Sequence, residues 1–285
     1  MAAPIVFLSD FGLQDEFVGI CHGVIARLAP DARVIDLSHG VPPGDVLRGA
    51  LLLAACLPYV PAGAVLLGVV DPGVGGSRRP VAARSVDGRL LVGPDNGLLS
   101  LAWGAAGGLE AAVRIDADDV VLRPTSSTFH GRDVFAPTAA RLAAGAGLSS
   151  VGSPIPAATL DVVRVPPAEP SHGSVAAAVV SVDRFGNVAL AMGQDDLDAA
   201  GFSRETALEV RTATRVAPAR PAATFGDVAP GRLAVLIDSA GWVAVVRNGG
   251  SAAELIGALP GDRVEIRAAG SRGAAGSERR SPAGA

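Results

Sequence analysis

The chain has 285 residues, 49% of them apolar and only 18% charged, a balance that suits a globular protein with a sizeable core and argues against disorder. Its formal net charge of -4 gives no electrostatic case for nucleic acid. Lysine is absent, which excludes lysine Schiff-base chemistry and the phosphate-binding lysine of a P-loop.

In chain order, Ile5 to Leu8 is a short apolar strand. Phe17, Ile20, Cys21, Val24, Ile25 and Leu28 recur at helical spacing, and Pro30 stops the helix. Arg33 to Leu37 reads as a second strand, Asp45 can cap a helix running toward Leu57, and Ala64 to Val70 is a third strand. This β-α-β-α-β order implies a mostly parallel sheet covered by helices. Val81 to Val92 reads as a hairpin turning at Asp87-Gly88, and Arg132 to Ala144 as a further helix. Pro154 to Pro170 is rich in proline and reads as a linker. Beyond it the pattern changes to strands over Ser174–Met192, Ala207–Val216, Arg232–Ile237, Trp242–Arg247 and Arg263–Ala268. Short helical segments fall near Asp195–Ala200 and Ala252–Leu259. The expectation is an α/β domain with Rossmann-like layers over 1–153, a linker over 154–171, an all-β barrel or sandwich over 172–269 and a disordered tail over 270–285.

Cys21 and Cys56 lie in apolar helical stretches and read as buried thiols, with no disulfide framework. The N-terminus lacks the basic and long apolar regions of a signal peptide, and Pro58 and Pro61 interrupt the most apolar stretch. A cytoplasmic enzyme without a membrane partner is the expectation.

Asp71-Pro72-Gly73-Val74-Gly75-Gly76-Ser77-Arg78 follows the third strand, so a carboxylate, a glycine-rich turn and an arginine sit where a strand ends. Such ends converge on one rim of an α/β sheet. The glycines lack both the Gly-Lys-Ser/Thr ending and the third glycine of a dinucleotide fingerprint, so they let the backbone turn and approach a ligand rather than cradle phosphate. Ser9-Asp10-Phe11-Gly12 contains a DFG string, yet no HRD loop or lysine accompanies it. Asp10 is either a carboxylate suited to ribose hydroxyls or the cap of a turn. Thr128-Phe129-His130-Gly131-Arg132-Asp133 sets a histidine just before a helix. His22, His39 and His172 show no metal-ligand spacing, so no metal site is expected. Asp183-Arg184-Phe185-Gly186-Asn187 breaks the pattern of its own strand, and Arg247-Asn248-Gly249-Gly250-Ser251 ends another. Each is either a tight turn or a loop presenting polar groups, and these pieces alone name no reaction.

Taken together the motifs are specific. Phe7-Leu8-Ser9-Asp10-Phe11-Gly12, Val70-Asp71-Pro72-Gly73-Val74-Gly75, Gly93-Pro94-Asp95-Asn96-Gly97-Leu98-Leu99, Thr128 to Asp133, Asp183 to Asn187 and Arg247-Asn248 run in family order over nearly the whole folded chain. On them the chain resembles the S-adenosyl-L-methionine (SAM) hydrolases, also called SAM hydroxide adenosyltransferases, relatives of the SAM-dependent fluorinase and chlorinase. The resemblance implies an N-terminal α/β domain, a C-terminal β-barrel and a homotrimer, with substrate between the N-domain of one subunit and the C-domain of its neighbour. It implies attack of water on the ribose C5′ of SAM, giving adenosine and L-methionine, with SAM as substrate and no cofactor. The family triad falls on Asp71, Arg78 and His130; Arg78 is preferred to Arg79 on family spacing.

Ligand contacts carry over likewise. Asp10 matches the ribose-diol carboxylate, with Asp15 in the adjoining segment. Asp183 and Ser239 match groups at the methionine end. Asn187 and the backbone from Arg247 to Gly249 match adenine contacts, and Phe225 matches an aromatic beside the adenine. The fluorinase has tyrosine in place of Asp71, tyrosine and serine in place of His130 and Gly131, and an inserted loop where this chain has the short Asp87-Gly88 turn; all three differences favour water as nucleophile. The fluorinase arginine that follows the match to Ser239 is Ala240 here, which leaves the methionine carboxylate to another donor. The expected mechanism has Asp71 and His130 accepting hydrogen bonds from the attacking water while Arg78 orients Asp71. A SAM-dependent chlorinase and a binding protein without turnover are the alternatives.

Overall fold

The computed structural model describes residues 2–270, and the chain divides at Arg164/Val165 into two compact units. The tail expected over 270–285 lies, past Gly270, outside the described residues.

Unit 1 is built on a seven-stranded sheet. In chain order it contains β1 (Ile5–Ser9), α1 (Phe17–Leu28), β2 (Val34–Ser38), α2 (Val46–Cys56), β3 (Val65–Val69), β4 (Pro80–Ser85), β5 (Leu90–Pro94), α3 (Ser100–Ala105), β6 (Leu109–Ile115), α4 (Ala136–Ala143) and β7 (Gly152–Pro154). The order across the sheet is β2-β1-β3-β5-β4-β6-β7. The first four are mutually parallel, and β4, β6 and β7 join antiparallel. Alternation along the strands makes three layers. Ile5, Phe7, Val65 and Leu67 pack with Cys21, Val24 and Ile25 of α1 and Ala139 and Ala140 of α4. Val6, Leu8 and Leu66 face the other way, onto Leu53 and Cys56 of α2 and Ala102 of α3. Strands sandwiched between helices are buried on both faces, which is why they read as unbroken apolar runs.

Asp45 caps α2, its Oδ1 accepting from the Arg48 amide at 2.9 Å. The hairpin expected over 81–92 is the β4–β5 pair, with Val81 opposite Gly93. The helix expected from Arg132 starts one residue earlier, as a wider π-helical turn over Gly131–Phe135, before α4 takes over. The proline-rich stretch is not free along its length. Its Asp161 amide donates to Asp95 at 2.8 Å, its Val163 amide donates to Ser100 Oγ at 3.1 Å, and Leu160 is buried in the core.

Unit 2 carries β8 (Glu169–Ser171), β9 (Ser174–Val182), β10 (Val188–Leu190), α5 (Gln194–Ala199), β11 (Leu208–Arg211), β12 (Val216–Pro221), β13 (Leu233–Ile237), β14 (Val243–Arg247), α6 (Ala252–Ile256) and β15 (Arg263–Ala268). The strands run β10-β14-β13-β12-β11-β15-β9, and β10 pairs back onto β9, closing a seven-stranded barrel with β8 as an added strand on β9. Closure removes the open edges that would otherwise invite pairing with other chains. Two expected strands are each split in two. Ser174–Met192 is interrupted by the 183–187 loop, and Ala207–Val216 is a hairpin, because Thr212 Oγ1 accepts the Arg215 amide at 3.1 Å and turns the chain there.

Candidate active site

The parallel part of unit 1 has a topological switch. From β1 the chain crosses to β2 on one side and returns to β3 on the other. Ligands of open α/β sheets bind beyond the strand ends at such a point. Asp10 follows β1 and Asp71 follows β3; these strands are neighbours, with Ser9 opposite Val69. Asp10 donates its amide to the Val69 carbonyl at 3.4 Å, and its Oδ2 accepts from the Gly44 amide at 2.8 Å. Asp15 is exposed in the segment between β1 and α1. Asn96, just past β5, donates to the Val70 carbonyl at 2.9 Å and so holds the end of β3 from the other side.

Asp71, Arg78 and His130 come together in this unit. Arg78 Nε donates to Asp71 Oδ1 at 2.9 Å and to Oδ2 at 3.0 Å, and its Nη2 closes on Oδ2 as well. The same Nη2 lies 2.7 Å from His130 Nδ1. A guanidinium has donors only, so Nδ1 is the acceptor, and the neutral imidazole must carry its proton on Nε2. The side chains of Asp71 and Arg78 are only 5% and 10% exposed, so the pair is sheltered from water. Arg78 also lies over the Phe135 ring, 5.2 Å from its centroid. Burial, together with the Arg78 charge, holds His130 below the usual histidine range, against the opposing pull of Asp71 and Asp133. The neighbouring arginine diverges: Arg79 Nε donates to Asp95 at 2.7 Å.

Two glycines make this approach possible. Gly75 has φ +75°, and a Cβ there would stand 2.2 Å from the Ser127 carbonyl oxygen. A Cβ on Gly131 would meet Phe11 Cζ at 2.8 Å. The turn after β3 therefore touches the loop carrying His130 at Gly75, and that loop packs against Phe11, in the segment after β1, at Gly131. Asp133 pins that loop: its Oδ2 accepts from the Ser126 amide at 2.8 Å, and Arg132 Nε donates to its Oδ1 at 2.6 Å. Burial alone would raise the Asp133 carboxyl, but Arg132 and the Ser126 amide outweigh it and hold it below the ordinary carboxylate range. Asp133, Phe135, Asn96 and the Gly44 amide were not singled out from sequence. Asp133 and Asn96 lay inside quoted motifs, whereas nothing local marks an amide 34 residues from Asp10.

The candidate ligand residues of unit 2 fall in three places. Asp183 Oδ1 accepts the amides of Phe185 (2.8 Å) and Asn187 (2.9 Å), and Oδ2 accepts Asn187 Nδ2 at 2.8 Å. Three of the roughly four acceptor positions of this carboxylate thus shape its own loop. Gly186 sits against Ser251, where a Cβ would meet Oγ at 2.1 Å, so the 183–187 loop abuts the segment holding Arg247 and Gly249. Arg247 Nε donates to the Gly231 carbonyl at 3.1 Å, and Gly249 turns with φ +74°. Ser239 is elsewhere. It is exposed in the turn before β14, whereas Arg247 is the last residue of that strand. The Asp238 carboxylate shapes that turn by accepting the Ala240 amide at 2.8 Å. Phe225 is 49% exposed in a short helical turn after β12.

Two of the histidines that show no ligand spacing in the sequence, His22 and His39, are brought onto one carboxylate, Asp36. Linear spacing cannot register this, because the three residues come from a helix, a strand and the loop after it.

The SAM hydroxide adenosyltransferase N-terminal domain matches residues 5–152 and the corresponding C-terminal domain matches residues 177–265. A (R)-S-adenosyl-L-methionine hydrolase of Salinispora tropica is 52% identical over 93% of this chain and 97% of its own length. One from Thermus thermophilus is 41% identical over 92% and 99%. A fluorinase of Actinopolyspora mzabensis is more distant, at 28% over 87% and 92%. The crystal structure of an uncharacterised conserved protein from Thermotoga maritima superposes with a TM-score of 0.86 at 33% identity, covering 92% of this chain and 99% of that one. The chain belongs to the SAM hydroxide adenosyltransferase family.

Proposed function

We propose that the protein hydrolyses S-adenosyl-L-methionine to adenosine and L-methionine, by in-line attack of a water oxygen on the ribose C5′. The observation that carries the mechanism is the sheltered Asp71 carboxylate, gripped by Arg78 while the same guanidinium donates to His130. As the O–C5′ bond forms and the C5′–S bond breaks, the electron pair goes to sulfur and methionine departs as a neutral thioether. The leaving atom therefore needs neither a proton nor a Lewis acid, and SAM is the substrate rather than a cofactor. The demand falls on the nucleophile. Asp71 accepts the proton of the water; His130, expected from sequence to accept from that water, instead donates to its oxygen, because Arg78 occupies Nδ1 and leaves the proton on Nε2, and so turns the water lone pair toward C5′. Orientation of this kind supplies roughly 7–11 kcal/mol in favourable cases. A general base adds about 10²–10⁴-fold, or roughly 3–5.5 kcal/mol. Positioning is thus the larger contribution.

In the same reading Asp10 and Asp15 serve the ribose, Asp183 and Ser239 the methionine end, and Asn187, Phe225 and the Arg247–Gly249 backbone the adenine. The neighbouring ends of β1 and β3, and the contact of the 183–187 loop with Ser251, support this division. The working form is a cytoplasmic homotrimer without nucleic-acid or membrane partners. The two buried, unpaired thiols agree with a reducing compartment, and no helix among the described residues is long and apolar enough to cross a membrane. Incubation with SAM in ¹⁸O-labelled water and excess chloride tests the reaction. Singly labelled adenosine with equimolar methionine is expected; chlorinated adenosine, or bound substrate without methionine release, overturns the reading.

A further inference from the structure

His22 lies on α1, Asp36 within β2 and His39 in the loop after β2. Their ligand-capable atoms all fall within 4.8 Å of one another. His22 Nε2 is 2.9 Å and His39 Nε2 3.0 Å from the same oxygen, Asp36 Oδ1. The His39 side chain is only 2% exposed, yet its Nε2 makes no hydrogen bond despite that short distance. A buried ring nitrogen beside a carboxylate without a bond is costly unless a further partner, placed to one side and touching both, takes its lone pair. The other His39 nitrogen, Nδ1, is 2.7 Å from Ser9 Oγ. Metal-ligating histidines are characteristically anchored in this way, the bond at one nitrogen leaving the lone pair of the other free. The Phe7 ring packs edge-on against His39, 4.7 Å between centroids, and gives the cluster an apolar floor.

We propose that His22, Asp36 and His39 form a three-ligand site for a divalent transition-metal ion of the zinc class. Two imidazoles and a carboxylate are the donor set such an ion prefers. Ligand bonds of about 2.0–2.2 Å set neighbouring donor atoms about 3.3 Å apart in a tetrahedron. The 2.9 and 3.0 Å separations from the carboxylate oxygen need a small outward shift to reach that spacing, while the two imidazole nitrogens lie within 4.8 Å of each other and would be drawn together by the ion. His22 and Asp36 are 36% and 42% exposed at the side chain, which leaves an entry path and room for water at the fourth position. The ion would tie α1 to β2, the edge strand of the sheet. Through His39 it would also brace Ser9 and Gly12, since the Gly12 amide donates to the His39 carbonyl at 2.8 Å. The site would be separate from the chemistry at C5′.

The test is titration of the untagged, chelator-treated full chain with Co(II), followed by the visible d–d absorption of the bound ion and by displacement with Zn(II). One equivalent per chain is expected. His22→Ala and Asp36→Ala each replace an exposed side chain, and circular dichroism checks that they fold. Each is expected to weaken Co(II) binding by more than about 10-fold, the lower end of the loss seen when even outer partners of a metal site are removed. Zinc is expected to raise Tm in the parent chain and not in these variants. Binding below one equivalent, titrations of the two variants that superimpose on the parent, or loss of the signal in His130→Ala in place of these variants each overturns the site.

Discussion

At the residue scale the site turns on one guanidinium with two tasks. Arg78 spends Nε and Nη2 on Asp71 and shares Nη2 with His130, so the carboxylate and the imidazole cannot be altered independently. Asp71→Asn keeps the shape but leaves Arg78 sheltered without its counter-charge. The expected result is a fall in kcat of about 10²–10⁴ with KM little changed, and a loss of stability on the order of 3 kcal/mol, read from a urea midpoint. A variant with parental kcat removes Asp71 from the mechanism. His130 gives a signed pH prediction. Burial and Arg78 hold its folded value below the ordinary 6.5. The unfolded chain therefore binds this proton more readily than the folded one. Stability from this group is full above about pH 6.5 and declines as the pH falls below it. Activity should follow the same course, since a proton on Nδ1 would face the Arg78 donor. The acid limb of kcat/KM is expected below pH 6.5, and a limb centred above it contradicts the assignment.

At the element scale, the site depends on where strands stop and how tightly the next turns fold. β1 and β3 were legible because strands buried on both faces read as apolar runs, and the Asp45 cap because its bond is local. The convergence of residues 71–78 with 127–131 was not legible from composition or period. It depends on Gly75 meeting the Ser127 carbonyl, a contact between positions far apart in the chain. The His22–Asp36–His39 cluster was hidden for the same reason, since β2 and α1 become neighbours only through the sheet. In unit 2 the break at residues 183–187 was legible but not that it ends one strand and starts another, and the apolar period ran on across the reversal at 212–215; the deciding hydrogen bonds come from Asp183 and Thr212. Gly75→Ala isolates the first of these contacts. Positive φ alone costs a non-glycine residue about 1–2 kcal/mol, and the Cβ would also collide with the Ser127 carbonyl. The turn must then move away from the His130 loop. The expected outcome is a folded protein, by circular dichroism, whose kcat falls at least about 10-fold. Unchanged kcat would show that the approach of these two segments is not needed for turnover.

At the scale of the whole molecule, the proposed triad belongs to unit 1, while the side chains proposed for adenine and methionine belong to unit 2. Each unit has its own apolar cluster, so a change in one loop need not unfold the other unit. The homotrimer reading, in which unit 1 of one copy works with unit 2 of the next, can therefore be separated from a reading in which each chain works alone. Asp71→Asn disables the proposed chemistry and Asp183→Ala the proposed substrate grip, and each variant alone should be close to inactive. If copies are mixed under conditions that exchange subunits, some sites in the mixed trimers join an intact unit 1 to an intact unit 2. For random equimolar assembly around a three-fold ring, about a quarter of the sites are of this kind. Recovery of about a quarter of parental activity, together with a sedimentation mass near three times the 28.4 kDa chain, is the expected outcome. A chain that acts alone recovers nothing on mixing, because every copy then carries one of the two lesions within its own site.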